Sequence, residues 1–232
     1  MAATLYAGSA RFTTHEPDRV TRHSFSFGPH YDPANLGFGP LVCHNDEILQ
    51  PGGGYPDHPH RDLEIVTWVL SGVLLHTDST GHTSPIGAGS VQAMSAGSGI
   101  RHAEIAAPAS GPTRFVQAWV RPDEPGGTPV HRELAVDLAG AGLVPVAGDS
   151  GLPIGTTGAS LHVARLAPGE SVELPDAHRL HVFAATGSVS VGDHRLGAGD
   201  ERLGAGDALR LVDEGGVAVA DEPTDLLVWS FT

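Results

Sequence analysis

The sequence predicts an all-β protein built from two barrels or sandwiches, and three observations carry that expectation. The 31 Gly and 18 Pro are spread along the whole chain and cut it into short apolar runs, the pattern of many short strands. Several runs alternate apolar and polar residues at period two, and no long segment holds a 3.6-residue stripe. The length, 232 residues, exceeds one small barrel and suffices for two domains that each bury a core without disulfides.

The elements follow in order. LEIVTWVL (63–70) and VLLHTDS (73–79) flank Ser71-Gly72, a tight-turn dipeptide, and are expected to form a hairpin. SVQAM (90–94) and TRFVQAWV (113–120) are further β-branched and aromatic runs. SLHVARL (160–166), RLHVFAAT (179–186), SVSVG (188–192), ALRLV (208–212), GVAVA (216–220) and DLLVWSF (225–231) repeat the pattern in the second half. HRELAVDLAGAG (131–142) is the best place for a connection, so the expected domains are 1–132 and 133–232. LGAGDER (196–202) and LGAGDAL (203–209) form a tandem repeat too short for a solenoid unit. It reads as a duplicated turn lengthening one loop.

Composition narrows the function. The net charge of −14 repels phosphate backbones and anionic lipid, which disfavours direct nucleic-acid binding. All 13 basic residues are Arg. Absence of Lys excludes Schiff-base chemistry, covalent pyridoxal phosphate and a P-loop lysine. Cys43 is the one cysteine, so no intrachain disulfide forms, and a buried inert thiol is expected. No apolar run approaches a membrane span, and the N-terminal MAATLYAGSARFTTHEPDRV lacks the layout of a secretion signal. A monomeric cytoplasmic protein without a membrane partner is the expectation.

Two segments carry chemistry. GGGYPDHPHRDLE (52–64) contains His58 and His60, and SAGSGIRHAE (95–104) contains His102 and Glu104. Side chains at i and i+2 of a strand share a face. Two strands facing each other across a barrel interior would then bring all four groups together. Three neutral imidazoles and a carboxylate suit Fe, Ni, Cu, Mn or Zn, and an octahedral ion would keep two positions open. The glycines before each pair permit tight turns, and Pro59 restricts its strand to an edge or an irregular one. One His-x-His in a chain with 14 His carries little weight. Two same-face pairs behind Gly-rich turns outweigh the alternative of surface turn histidines. In the second half His178 and His181 are three apart, on opposite strand faces, and with His162 and His194 they form no such constellation.

YPDHPHRDLEIVTWVLSG (55–72), HTDSTGH (76–82) and GAGSVQAMSAGSGIRHAE (87–104) resemble the pirin family, the bicupin group that includes bacterial pirin-like quercetin dioxygenases. HSFSFGPHYDPANLGFGPLVCHNDE (23–47) and WVRPDEPGGTPVHRE (119–133) extend the likeness, which covers residues 20–133 strongly and the second half diffusely. The resemblance implies two cupin (jelly-roll) β-barrel domains in tandem. It implies one divalent transition metal on His58, His60, His102 and Glu104, with Fe(II) first and Ni, Cu, Mn or Zn as alternatives. The second barrel would be metal-free. The general cupin pattern has a Glu four or five residues after the second His, where this chain has Glu64 and Ile65. The pirin pattern moves that carboxylate to Glu104, and Glu64 then reads as a supporting or surface group pairing with Arg61 or Arg101.

The implied activity is a dioxygenase that opens the central ring of a flavonol such as quercetin with O2 and releases carbon monoxide. Glu104 would take the proton of the 3-hydroxyl as general base. Tyr55, Met94, Ile100 and Phe27 are candidates to line an apolar pocket, whereas Trp119 reads as core packing. The family also allows a second reading, a metal-dependent regulatory or redox-sensing interaction protein without turnover. A small-molecule isomerase is a third, since fold does not fix chemistry, but no basic cluster for a sugar phosphate lies near the motifs.

Overall fold

The computed structural model describes residues 2–192, 202–204 and 206–232. Strand β1 (Ala2–Tyr6) precedes a single 3-10 turn at Gly8–Ala10. There follow β2 (Phe12–Glu16), β3 (Arg19–His23), β4 (Leu41–Leu49), β5 (Gly54–His60), β6 (Glu64–Ser71), β7 (Val73–Asp78), β8 (Thr83–Gly87), β9 (Ser90–Ser95), β10 (Ile100–Ala106), β11 (Thr113–Val120) and β12 (Val130–Ala135). The second half supplies β13 (Val144–Gly148), β14 (Ala159–Leu166), β15 (Ser171–Glu173), β16 (Arg179–Ala184), β17 (Ser188–Val191), β18 (Arg202–Gly204), β19 (Ala208–Val212), β20 (Val217–Ala220) and β21 (Thr224–Phe231). No α-helix occurs among the described residues, so none is long and apolar enough to cross a membrane. The all-β expectation holds. The duplicated turn lies, at 196–201 and 205, outside the described residues, as does His194.

Two compact units form, each from two antiparallel sheets. The first comprises residues 12–136 and 152–157. Its sheets run β12-β9-β6-β11-β4-β3-β2 and β5-β10-β7-β8. Leu49, Val69 and Phe115 from the larger sheet pack with Leu74, Ile86 and Ala106 from the smaller, closing one end of the interior. The second unit comprises residues 1–11, 137–151 and 158–232, with sheets β1-β19-β16-β21-β14-β13 and β15-β20-β17-β18. Its core includes Leu166, Leu180, Val182, Leu209, Leu226 and Val228.

This partition differs from the division expected at 132/133. β1 pairs in register with β19, Ala2 opposite Val212 and Tyr6 opposite Ala208, so the N-terminus belongs to the second barrel. β12 pairs with β9 and keeps residues 133–135 in the first. Residues 152–157 return to the first unit, where Asp123 N donates to Gly155 O (2.8 Å) and Thr156 Oγ1 donates to Arg121 O (2.9 Å). A strand's local pattern reports that it is a strand and which face is apolar, not which distant strand it joins.

The hairpin expected at Ser71-Gly72 does not form. β6 pairs with β9 and β11, whereas β7 pairs with β8 and β10, so the chain crosses from one sheet to the other at that point. Gly72 turns the corner with φ +78°, and a Cβ there would stand 2.6 Å from Thr113 Oγ1. A single connecting residue is too short for the two-residue loop of a tight hairpin. Val73 N instead donates to Thr113 Oγ1 (3.2 Å).

Candidate metal centre

The smaller sheet of the first barrel presents its inner face in rows. His58 lies opposite His102, and His102 opposite Asp78. One row deeper Tyr55, Glu104, His76 and Ser84 stand side by side on β5, β10, β7 and β8. Below them Ala106, Leu74 and Ile86 belong to the apolar base. The chemistry-bearing strands β5 and β10 are thus hydrogen-bonded neighbours, not strands facing each other across the interior as the sequence reading had it. Cross-strand pairing brings side chains closer than the width of a barrel would.

A register shift between His102 and Glu104 makes this work. Four residues of β5, from Tyr55 to His58, span three of β10, from His102 to Glu104. The bulge re-aims the strand, so Tyr55, His58 and His60 are all partly buried while Pro56, Asp57 and Pro59 face outward. β5 is an edge strand, as its prolines require. Gly54 begins it at φ +144°, and a Cβ there would collide with the Glu104 carbonyl oxygen. Only glycine lets β5 approach β10 at that point.

His58, His60 and His102 converge, with ring centroids 4.8 Å (58–60), 4.4 Å (58–102) and 4.9 Å (60–102) apart. One nitrogen from each ring lies within 4.8 Å of the other two, and in a second group one nitrogen each of His76 and His102 and a Glu104 oxygen do the same. His58 Nδ1 donates to the Pro56 carbonyl (2.9 Å), which leaves Nε2 as the free donor pair for a metal. His60 Nε2 and both ring nitrogens of His102 are buried without a hydrogen-bond partner. Buried orphan nitrogens are costly, and a cation among them would take up His60 Nε2 and one of the two nitrogens of His102. The donor set therefore fits a divalent transition ion.

Electrostatics agree with that fit. Burial, then the neighbouring His58, presses His60 down to about 4. Burial, then His58 and His60, presses His102 down to about 2. Both imidazoles are neutral, as ligands must be. Burial raises Glu104 to about 7, against the lowering effect of its hydrogen bond from Gln117.

Gln117 holds Glu104. Its Nε2 donates to both carboxylate oxygens at 2.9 Å, and its Oε1 accepts from Trp119 Nε1 (3.0 Å). The indole thereby fixes which way the amide points. Groups that orient a ligand typically change metal affinity about 10–100-fold when removed. Gln117→Leu should weaken metal binding by that factor, read by competition with a chelator; unchanged affinity would show that the amide does not hold the ligand.

A cavity of about 120 Å³ opens beside these groups, lined by Phe27, Asn45, Glu47, Tyr55, Gln117 and Trp119 together with His58, His60 and Glu104. Of the expected pocket residues, Tyr55 and Phe27 stand on its wall. Met94 and Ile100 do not, because they are buried in a cluster with Ile65 and Ala96. Trp119, read as core, lines the cavity edge-on to Phe27 (5.2 Å) and His60 (4.9 Å). Glu64 shares no face with the site: it is buried, accepts from Ser95 Oγ (2.6 Å), and leaves Arg101 to Asp57 (2.7 Å). Cys43 is buried. In the second barrel no group of three metal-capable side chains occurs among the described residues.

The sequence reading missed Glu47, Asn45 and Gln117. Gln117 interrupts the apolar run of β11, Asn45 and Glu47 lie in the polar stretch 44–47 of β4, and Thr67 and Gln92 are their counterparts on β6 and β9. Pairing sets Gln92, Thr67, Gln117 and Asn45 in one row across the larger sheet. Glu47 accepts from Thr21 Oγ1 (2.6 Å) and Tyr55 Oη (2.9 Å), and burial raises its carboxyl to about 7. A polar residue breaking an apolar run was the available signal for Gln117, and four consecutive polar residues inside one strand were the signal for Asn45 and Glu47.

Comparison with known proteins agrees with this geometry. The family model described as Pirin matches residues 7–120. A Mycobacterium tuberculosis protein provisionally named a quercetin 2,3-dioxygenase is 45% identical over 218 residues, covering 90% of this chain and 86% of its own. Quercetin 2,3-dioxygenase of Escherichia coli K12 is 41% identical over 135 residues, 57% of this chain and 58% of its own. The structure of the bacterial pirin YhhW from Escherichia coli in complex with nickel(II) superposes with a TM-score of 0.89 at 28% identity, covering 99% of each chain. By sequence, by the tandem barrels and by the residues gathered in the first of them, this chain belongs to the pirin family.

Proposed function

We propose that the chain is a metal-dependent dioxygenase that opens the central ring of a flavonol with O2 and releases carbon monoxide. His58, His60, His102 and Glu104 hold the ion, with Fe(II) first among the candidates. The observation that carries this reading is a cluster of three imidazoles and a buried carboxyl beside a cavity walled by Phe27, Tyr55 and Trp119. The names of the relatives support the same substrate class. The single buried thiol, Cys43, fits a cytoplasmic setting, and the reading needs no second subunit.

The divalent ion supplies Lewis acidity that lowers the pKa of a substrate hydroxyl. The chain supplies the rest. Phe27 and Trp119 hold a flat aromatic ligand and exclude water. Glu104 Oε accepts the hydroxyl proton, and Gln117 keeps that carboxylate aimed. Glu47, bonded to Tyr55 and Thr21, is a second carboxyl on the wall able to hold a proton.

The direct test loads the purified protein with Fe, Ni, Cu or Mn and follows loss of quercetin absorbance with carbon monoxide release. Turnover with at least one metal is expected; no turnover with any would remove the dioxygenase reading. Cavity size favours a second reading, a metal-binding interaction protein without turnover. At about 120 Å³ the cavity is below the roughly 300–1,000 Å³ of most small-molecule pockets, so a flavonol would enter only in part.

Metal uptake should depend on pH through Glu104. Below its value of about 7 a proton must leave before the carboxylate can bind, so affinity falls about tenfold per pH unit on acidification. His60 and His102, at about 4 and about 2, stay neutral over that window. Metal titrations between about pH 5 and 7 read this slope, and Glu104→Gln should flatten it; a slope that survives in the variant would assign the proton to another group.

A further inference from the structure

We propose that the first barrel holds a second divalent transition-metal site, formed by His82, His131 and Glu133. Ligand-capable atoms of these three residues all lie within 4.8 Å of one another. His82 ends the turn after β7, and His131 and Glu133 lie two apart on β12, on one face of that strand. The opposite residues on β9 are Met94 and Gln92, whose row continues through Thr67 to Gln117. His131 therefore faces the same interior as the first cluster, from the opposite edge of the barrel, and Glu133 stands exposed at the rim on the same side of β12.

Two independent observations point to a ligand there. Both ring nitrogens of His131 are buried without a hydrogen-bond partner. Fully buried His76 and Gln92 beside it are also unsatisfied, His76 at Nδ1 and Gln92 at both amide atoms. The rings crowd together: His82–His131 centroids are 4.0 Å apart and His76–His131 4.4 Å. Aromatic stacking accounts for the spacing but leaves the His131 nitrogens orphaned, whereas a cation takes up one of them. The surroundings are also acidic. His76 Nε2 donates to Asp78 Oδ2 (3.1 Å), and Asp78 Oδ1 accepts from Thr80 N, Thr80 Oγ1 and His82 N, which fixes the turn carrying His82.

Two imidazoles and one carboxylate form a zinc-type donor set with room for solvent to complete the coordination. β12 and β8 are edge strands of their respective sheets, and Ser84 Oγ on β8 donates to Glu133 Oε2 (2.8 Å). An ion at this point would clip the two edges together. His76 lies between the two clusters, 5.3 Å from His102 by ring centroid, so each site lies one histidine from the other.

The test is zinc stoichiometry on the full chain, by equilibrium dialysis and elemental analysis. Wild type should hold two ions per chain, and His131→Gln one. Glu133→Gln, at an exposed carboxylate that leaves the core intact, should weaken uptake of one ion selectively. His58→Ala/His60→Ala should lose the other ion and keep the His131-dependent one. Zinc should also raise the thermal midpoint of that double variant. A wild type that binds a single ion, or His131→Gln and Glu133→Gln chains that both keep two, would overturn the proposal.

Discussion

Replacing Glu104 with Gln is expected to lower quercetin turnover by about 100- to 10,000-fold, the contribution of a positioned general base, while leaving the barrel folded. Glu104 is 1% exposed, and its carboxyl sits near 7 because burial disfavours the charge. Gln has the same shape and no charge, so the cost of burying an ion is absent, and the mismatch of its NH2 against the Gln117 amide costs about 1–3 kcal/mol. Its side-chain oxygen still accepts from Gln117, which now satisfies both carboxylate oxygens. What disappears is the anionic ligand and the proton acceptor. Single-turnover measurements at saturating metal separate these two losses. If the rate recovers fully once metal is saturating, Glu104 acts only as a ligand. A variant as active as wild type at every metal concentration would remove Glu104 from the site.

Phe115→Ala is expected to cost about 3–5 kcal/mol of stability, as large-to-small changes at buried aromatics do. Phe115 is fully buried at the base of the first barrel, where it packs with Leu49, Val69, Leu74, Ile86 and Ala106 from both sheets. Truncation leaves a cavity between two sheets held apart by their hydrogen-bonded frames, so the gap closes only in part. The row above the base carries Tyr55, Glu104 and His76, so the same variant should loosen the metal cluster. Urea unfolding with and without metal reads both effects. Leu36→Ala, at a side chain 52% exposed, is the control and should stay within about 0.5 kcal/mol. A loss at Phe115 as small as at Leu36 would show that the two sheets do not share this core.

Both predictions rest on residues whose roles were legible to different degrees. His58, His60, His102 and Glu104 could be picked from spacing because i, i+2 alternation is a property of any extended chain. The edge position of β5 was likewise foreseeable from Pro59, since a missing N–H excludes a central strand. The all-β class came from period-two runs punctuated by glycine and proline. Each of these is a local constraint, written in a few consecutive residues.

What pairs with what is not local. The bulge that turns Tyr55 inward with His58, the corner at Gly72 in place of a hairpin, and the capture of β1 by β19 depend on partners far along the chain. Trp119 and Met94 show the limit most clearly. Both are apolar residues on strands of one sheet, yet one walls the cavity and the other is sealed against Ile65 and Ile100. Gln117 reaches Glu104, and His131 meets His82, only because register sets them in facing rows. Side-chain alternation is dictated by backbone geometry at each residue. Register and sheet membership are settled by burial across the whole barrel, and that energy exists only once the strands have come together.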